Sequence, residues 1–275
     1  MVNRNGAPTD PSCGIDERRA WARRALQTIR SCLESPCELP RVDLGVPRLD
    51  LLAAVEMDGR RAFLAAMSAL DDLIDIQRDV MVLRFLGITN ERIGRRLGVS
   101  LSDVKYHLNE AVRKLGAESR HQLNVLAYFI AGREIHRKDP GSPLNGPVTD
   151  PDTHRERAMA AVRRMDSNLS GGKKLDGAGV PVPRLDRLAA VDDECGTVYL
   201  VVMDSIEDLS ARQRDILILR FRGVLYKQIP ASLETTEPNV EYHLSASTRK
   251  LRAKRRCHLD AIGYFLAGWN AWNSA

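Results

Sequence analysis

Apolar residues recur at helical spacing along most of the chain. Within Val99–Leu115, the residues Val104, Leu108, Ala111, Val112 and Leu115 fall three or four apart, so one helix face must be buried. Lys105, Tyr106, Asn109 and Arg113 are left on the opposite face. Ser100, with Asp103 three residues on, is a capping-box-like pair that predicts where this helix starts. Upstream, Ile76, Val80 and Leu83 set the inward face of a helix that stops at Gly87. Ile93 and Leu97 share one face of a shorter helix over Asn90–Leu97, which a Gly98–Ser100 turn joins to the next. Further helices are expected over Asp16–Leu33, Arg48–Glu56, Arg60–Leu70, Ser119–Ala131 and Thr153–Met165. No sustained alternation of period two is read anywhere, and the expectation is an all-α fold.

The pattern is written twice. A shift of 136 residues aligns Val46–Gly132 with Val182–Gly268 without a gap: VPRLDLLAAV becomes VPRLDRLAAV, QRDVMVLRF becomes QRDILILRF, and YFIAG becomes YFLAG. Fainter matches (Arg19, Ala22, Ala25 and Leu33 with Arg155, Ala158, Ala161 and Leu169) extend the unit upstream. The proline- and glycine-rich stretch from Lys138 to Asp152 reads as a linker. The expected organisation is therefore a first unit over 1–136, a linker over 137–152 and a second unit over 153–275. Within the units, helical modules are expected over about 73–132 and 209–268. The breaker-rich segments Glu34–Pro47 and Ser170–Pro183 set a leading helix apart from each body.

Composition narrows the function classes. The chain has 275 residues, a net charge of +5 and a pI near 9, a balance that permits nucleic acid without demanding it. No apolar run approaches the roughly 18 residues of a membrane span, and the first residues lack a signal-peptide core, so a cytoplasmic, nucleoid-associated protein is expected. Five scattered cysteines, of which only Cys32 and Cys37 lie close together, read as reduced thiols. No nucleophile–base pair, metal set or phosphate loop is present, so neither an enzyme nor a bound cofactor is expected.

A short helix, a tight glycine-containing turn and a second helix with a polar outer face form a helix-turn-helix arrangement. The same two helices also suit an αα-hairpin with no nucleic-acid role. The segment Gln77–Gly132, with NERIGRRLGVS followed in order by VKYHL and RKLGAESR, resembles the LuxR/GerE type of helix-turn-helix transcriptional regulator. Region 4 of sigma factors is similar through the first three helices, and the RKLGAESRHQL continuation into a fourth favours the LuxR-like reading. The resemblance implies binding to double-stranded DNA, with Lys105, Tyr106 and Asn109 in the groove and Arg113, Lys114, Thr89 and Asn90 at phosphates. Upstream of Gln77 nothing resembles the sensor domains common in that family, so no phosphorylation or small-molecule inducer is expected.

In the second copy Glu241, Tyr242, Ser245, Arg249 and Lys250 take the places of Lys105, Tyr106, Asn109, Arg113 and Lys114. Pro230 replaces Gly94 inside the supporting helix and Glu234 replaces the turn glycine Gly98. Lys254 and Arg256 add charge beyond the reading helix: this copy carries eleven cations against five carboxylates, where the first carries nine against six. The second copy is thus expected to be the more electrostatic and less selective binder. The aromatic pairs Tyr128–Phe129 and Tyr264–Phe265 either join the modules as an intrachain pseudo-dimer, or as a homodimer, or pack under helices of their own unit. A flexible tether would raise the effective concentration of one module at the other's site to the mM range. The alternative function is a helical protein-interaction adaptor or anti-activator acting on RNA polymerase or another regulator.

Overall fold

Arg48–Glu56 and Arg60–Leu70, expected as helices, form an antiparallel hairpin instead. Strands β1 (Leu49–Met57) and β2 (Arg60–Ser68) meet at Asp58–Gly59, both with positive φ (54° and 70°), the conformation a two-residue hairpin turn of this type requires. The second copy repeats the hairpin with β3 (Leu185–Asp193) and β4 (Gly196–Met203), and the two join into one sheet ordered β1-β2-β4-β3. The all-α expectation is therefore corrected. Described in this computed structural model are residues 14–35, 42, 44–133, 151–171, 182–193 and 195–274. The linker up to Asp150, most of the two breaker-rich segments, Cys13 and Cys37 lie outside them.

Period two hides in plain sight because both faces of the sheet are covered. Phe63, Ala65 and Met67 point into one core, whereas Ala62, Leu64 and Ala66 point into another, so every position from Ala62 to Met67 is apolar. A bulge between Leu51 and Ala53, repeated between Arg187 and Ala189, shifts the alternation in both edge strands. Such runs read equally well as buried helix.

Helices α1 (Gly14–Glu34) and α6 (Pro151–Ser170) pack together on one face of the sheet, where Leu26, Ile29, Val162 and Met165 close the smaller core. The other face carries α2 (Asp75–Phe85), α3 (Asn90–Leu97), α4 (Leu101–Leu115) and α5 (Arg120–Arg133), followed in the second copy by α7 (Ala211–Phe221), α8 (Ile229–Ser232), α9 (Glu237–Lys250) and α10 (Arg256–Ser274). Each fully buried Phe or Leu here contributes roughly 1.5–3 kcal/mol over its exposed state.

One two-fold relation runs through the layers. Leu64 pairs with Leu200 across the β2–β4 ladder, Phe129 lies 6.1 Å from Phe265 between ring centroids, and Asn124 Nδ2 donates to Asp260 Oδ2 at 2.7 Å. Each pair is 136 residues apart. The aromatic residues at the end of α5 and in α10 cross between the copies, Phe129 meeting Tyr199 and Phe265 meeting Phe63 at 5.2 and 4.9 Å. The copies therefore share a sheet and a core, and their coupling does not depend on a flexible tether.

Candidate nucleic-acid interface

In the first copy α2 supports α3 and α4. Gly98, left-handed at φ 69°, ends α3, and Gly94 lets the following turn pass: a Cβ there would lie 2.7 Å from the Val99 carbonyl oxygen. Ser100 Oγ accepts from the Asp103 amide at 3.1 Å and Asp103 Oδ2 accepts from the Ser100 amide at 3.0 Å, so the capping box stands. Hydrogen bonds from Ser100 hold the Asp103 carboxyl below the usual aspartate range.

Val104, Leu108, Ala111 and Leu115 fix the inner face of α4. Outward stand Lys105, Tyr106 (59% exposed) and Asn109. Among the described residues neither Lys105 nor Asn109 has a hydrogen-bond or ionic partner. Arg113 pairs with Glu110 at 2.7 Å on the surface, a contact weak enough to exchange for a phosphate. That pairing depresses the Glu110 carboxyl. Thr89 is exposed at the α3 start, and Asn90 Oδ1 accepts from Arg84 Nη1 at 2.8 Å.

Lys114 is engaged within the fold. Its Nζ donates to the Asp72 carbonyl at 2.8 Å and to Gln77 Oε1 at 3.2 Å, and Lys250 repeats the brace on the Asp208 carbonyl and Gln213 Oε1 at 2.6 and 3.0 Å. Three arginines that are not among the expected DNA contacts, Arg92, Arg95 and Arg96, are exposed on α3. The inward spacing of Ile93 and Leu97 already implied their direction.

The second copy is built on the same frame but altered at the surface. Pro230 falls in the first turn of α8, where it is tolerated, and α8 has four residues where α3 has eight. Glu234 holds the left-handed turn position at φ 48°. The α9 N-cap, Thr236, makes no side-chain cap bond. Val240 and Leu244 are buried, and Tyr242 is 61% exposed, matching Tyr106.

Glu241, however, brings a carboxylate to the place of Lys105. It pairs with Arg256 and accepts from Ser245 Oγ at 3.4 Å, and the Arg256 guanidinium holds its carboxyl below the usual glutamate range. Arg249 and Lys254 are exposed.

The two surfaces are held in fixed relation. Arg255 lies over Gly87 and Ser119 over Gly223, so each module's α2- or α7-end turn seats the other's loop. Between them Asp260, fully buried, accepts from Asn124 and, at 2.8 Å, from Arg220 Nε, with His121 Nδ1 at 3.2 Å.

Residues 69–116 match the family described as Sigma-70, region 4, and residues 207–261 match that of Bacterial regulatory proteins, luxR family. The LuxR-type likeness is thus carried by the second copy, and the first is matched to sigma region 4 over a segment that ends before α5. No curated protein and no solved structure matches the chain. Among the described residues no helix is long and apolar enough to cross a membrane. Two helix-turn-helix segments of DNA-binding families therefore stand on one chain, and they support a DNA-binding transcription regulator.

Proposed function

We propose that this chain is a non-enzymatic, sequence-specific transcription regulator of bacterial type, acting in the cytoplasm on double-stranded DNA through two duplicated LuxR-like modules. The observation that carries the reading is the outward face of α4, where Lys105, Tyr106 and Asn109 are exposed on a helix whose opposite face is locked into the core. Amide and cationic side chains on such a helix suit base edges in the major groove. The two-fold relation between the copies supports an intrachain pseudo-dimer addressing half-sites about one helical turn, ~34 Å, apart. A gel shift with random-sequence duplex at low salt tests the reading. Retention that weakens steeply with salt is expected; free duplex at every protein concentration would sink it.

A second reading, an adaptor that grips RNA polymerase, is favoured by one feature of the second copy. Leu225, 66% exposed at the place of Thr89, stands beside a surface whose carboxylate Glu241 is already neutralised. Co-sedimentation with RNA polymerase without DNA distinguishes it.

A further inference from the structure

We infer that the chain binds DNA as a single copy on a site of two inverted but unequal half-sites, α4 reading bases and the α9 half holding backbone. The inference rests on the DNA-binding reading above and concerns what kind of duplex the protein selects.

Geometry supplies the inversion. The relation that pairs Leu64 with Leu200 and Asn124 with Asp260 also relates α4 to α9, so the two reading helices stand as a two-fold pair on one shared sheet and core. A homodimer of identical modules would present the same side chains twice. Here the equivalent positions differ in charge and in availability. Among the described residues Lys105 and Asn109 have no partner, whereas Glu241 carries the opposite charge and meets Arg256 and Ser245 at the surface.

Supporting helices differ in the same sense. The exposed Arg92, Arg95 and Arg96 of α3 correspond to Gln228, Ala231 and Ser232 at α8. In the second copy Lys227 is exposed just before α8, and further exposed cations gather at the far end of its reading helix, at Arg249, Arg252 and Lys254. Cations there neutralise phosphates and carry little sequence information. The first half of the site therefore holds base preference together with phosphate contacts, and the second holds phosphate contacts alone.

Selection of the full-length chain on a randomised duplex pool, followed by sedimentation on the selected duplex, tests this. The expected result is a one-to-one complex and a motif whose base preference is concentrated in one half. Replacing Lys105 and Asn109 together by alanine should flatten that motif while binding persists. Glu241→Gln should leave the motif intact and steepen the log–log salt slope by about 0.9, the value of one further phosphate contact made by the released Arg256. A two-fold symmetric motif with equal preference in both halves, or two chains on one site, would overturn the inference and leave the DNA-binding reading standing. Failure to retain any duplex at low salt would overturn that reading itself.

Discussion

At the residue scale, a few polar side chains inside or at the edge of the cores decide stability. Asp260 is fully buried and accepts from Arg220 and Asn124, so its removal strands a cation with little access to water. Asp260→Ala should cost about 3–5 kcal/mol in denaturant unfolding; a cost under 1 kcal/mol would show that the cluster is solvated. His258 is buried against Phe85, and burial pushes its imidazole below the ordinary value. A depressed histidine binds protons better when unfolded, so it leaves stability intact above about pH 6.5 and erodes it as pH falls toward the folded value. His258→Gln, which installs the residue found at the equivalent Gln122, should flatten that acid-side loss. A stability–pH curve unchanged between pH 7 and 5 would contradict this.

The helix caps were legible from sequence because capping is local. Ser100 and Asp103 needed only their own spacing, and Ser100→Ala should cost about 1 kcal/mol by thermal unfolding. The availability of charged groups was not legible. Lys105 and Lys114 are both expected at DNA, yet among the described residues the first has no partner and the second braces the α2 start through Asp72 and Gln77. Nothing in the spacing of Glu241 and Arg256, fifteen residues apart, announces their pairing. Such contacts depend on where a second helix is placed.

At the element scale, the helices that stand partly in solvent were read with nearly the observed bounds. Asn90–Leu97 is α3 as expected, and Asp16–Leu33 lies within α1. Each shows water one face and the core another, and that contrast writes a period into the sequence. The strands escaped because they touch no water. Leu51–Val55 and Ala62–Met67 are buried on both sides, their alanines suit helices, and the bulge at Leu51/Ala53 breaks the phase. Asp58–Gly59, with positive φ at both residues, is the local mark of the hairpin.

The same scale explains the unequal supporting helices. Pro230 forces α8 to begin late, and Glu234 occupies a left-handed turn that Gly98 fills at no steric cost. Glu234→Gly should therefore stabilise the protein by about 0.5–1 kcal/mol, the relief of strain exceeding the added chain entropy. A loss of stability on chemical denaturation would mean that Glu234 makes a compensating contact.

At the scale of the whole molecule, the copies are joined by the β2–β4 ladder, by α1 with α6 and by α5 with α10. A chain folded in this way should unfold in one cooperative transition rather than two. A protease site inserted between Arg133 and Pro151, once cut, should leave the halves co-eluting, because the shared core and not the connecting peptide holds them. Separation of the halves on gel filtration would restore the picture of tethered beads.

The sequence by itself determined the repeat, the helix-turn-helix elements and the outward residues of α4, since each follows from local spacing, capping chemistry or self-similarity. Only the tertiary structure decided that the repeats fuse through a sheet, that Asn124 meets Asp260 on the two-fold relation, and that Glu241 is neutralised. These are contacts between residues far apart in the chain, and neither periodicity nor composition encodes which buried face meets which. The distinction bears on function: spacing located the helix suited to reading DNA, and packing made its counterpart unequal to it.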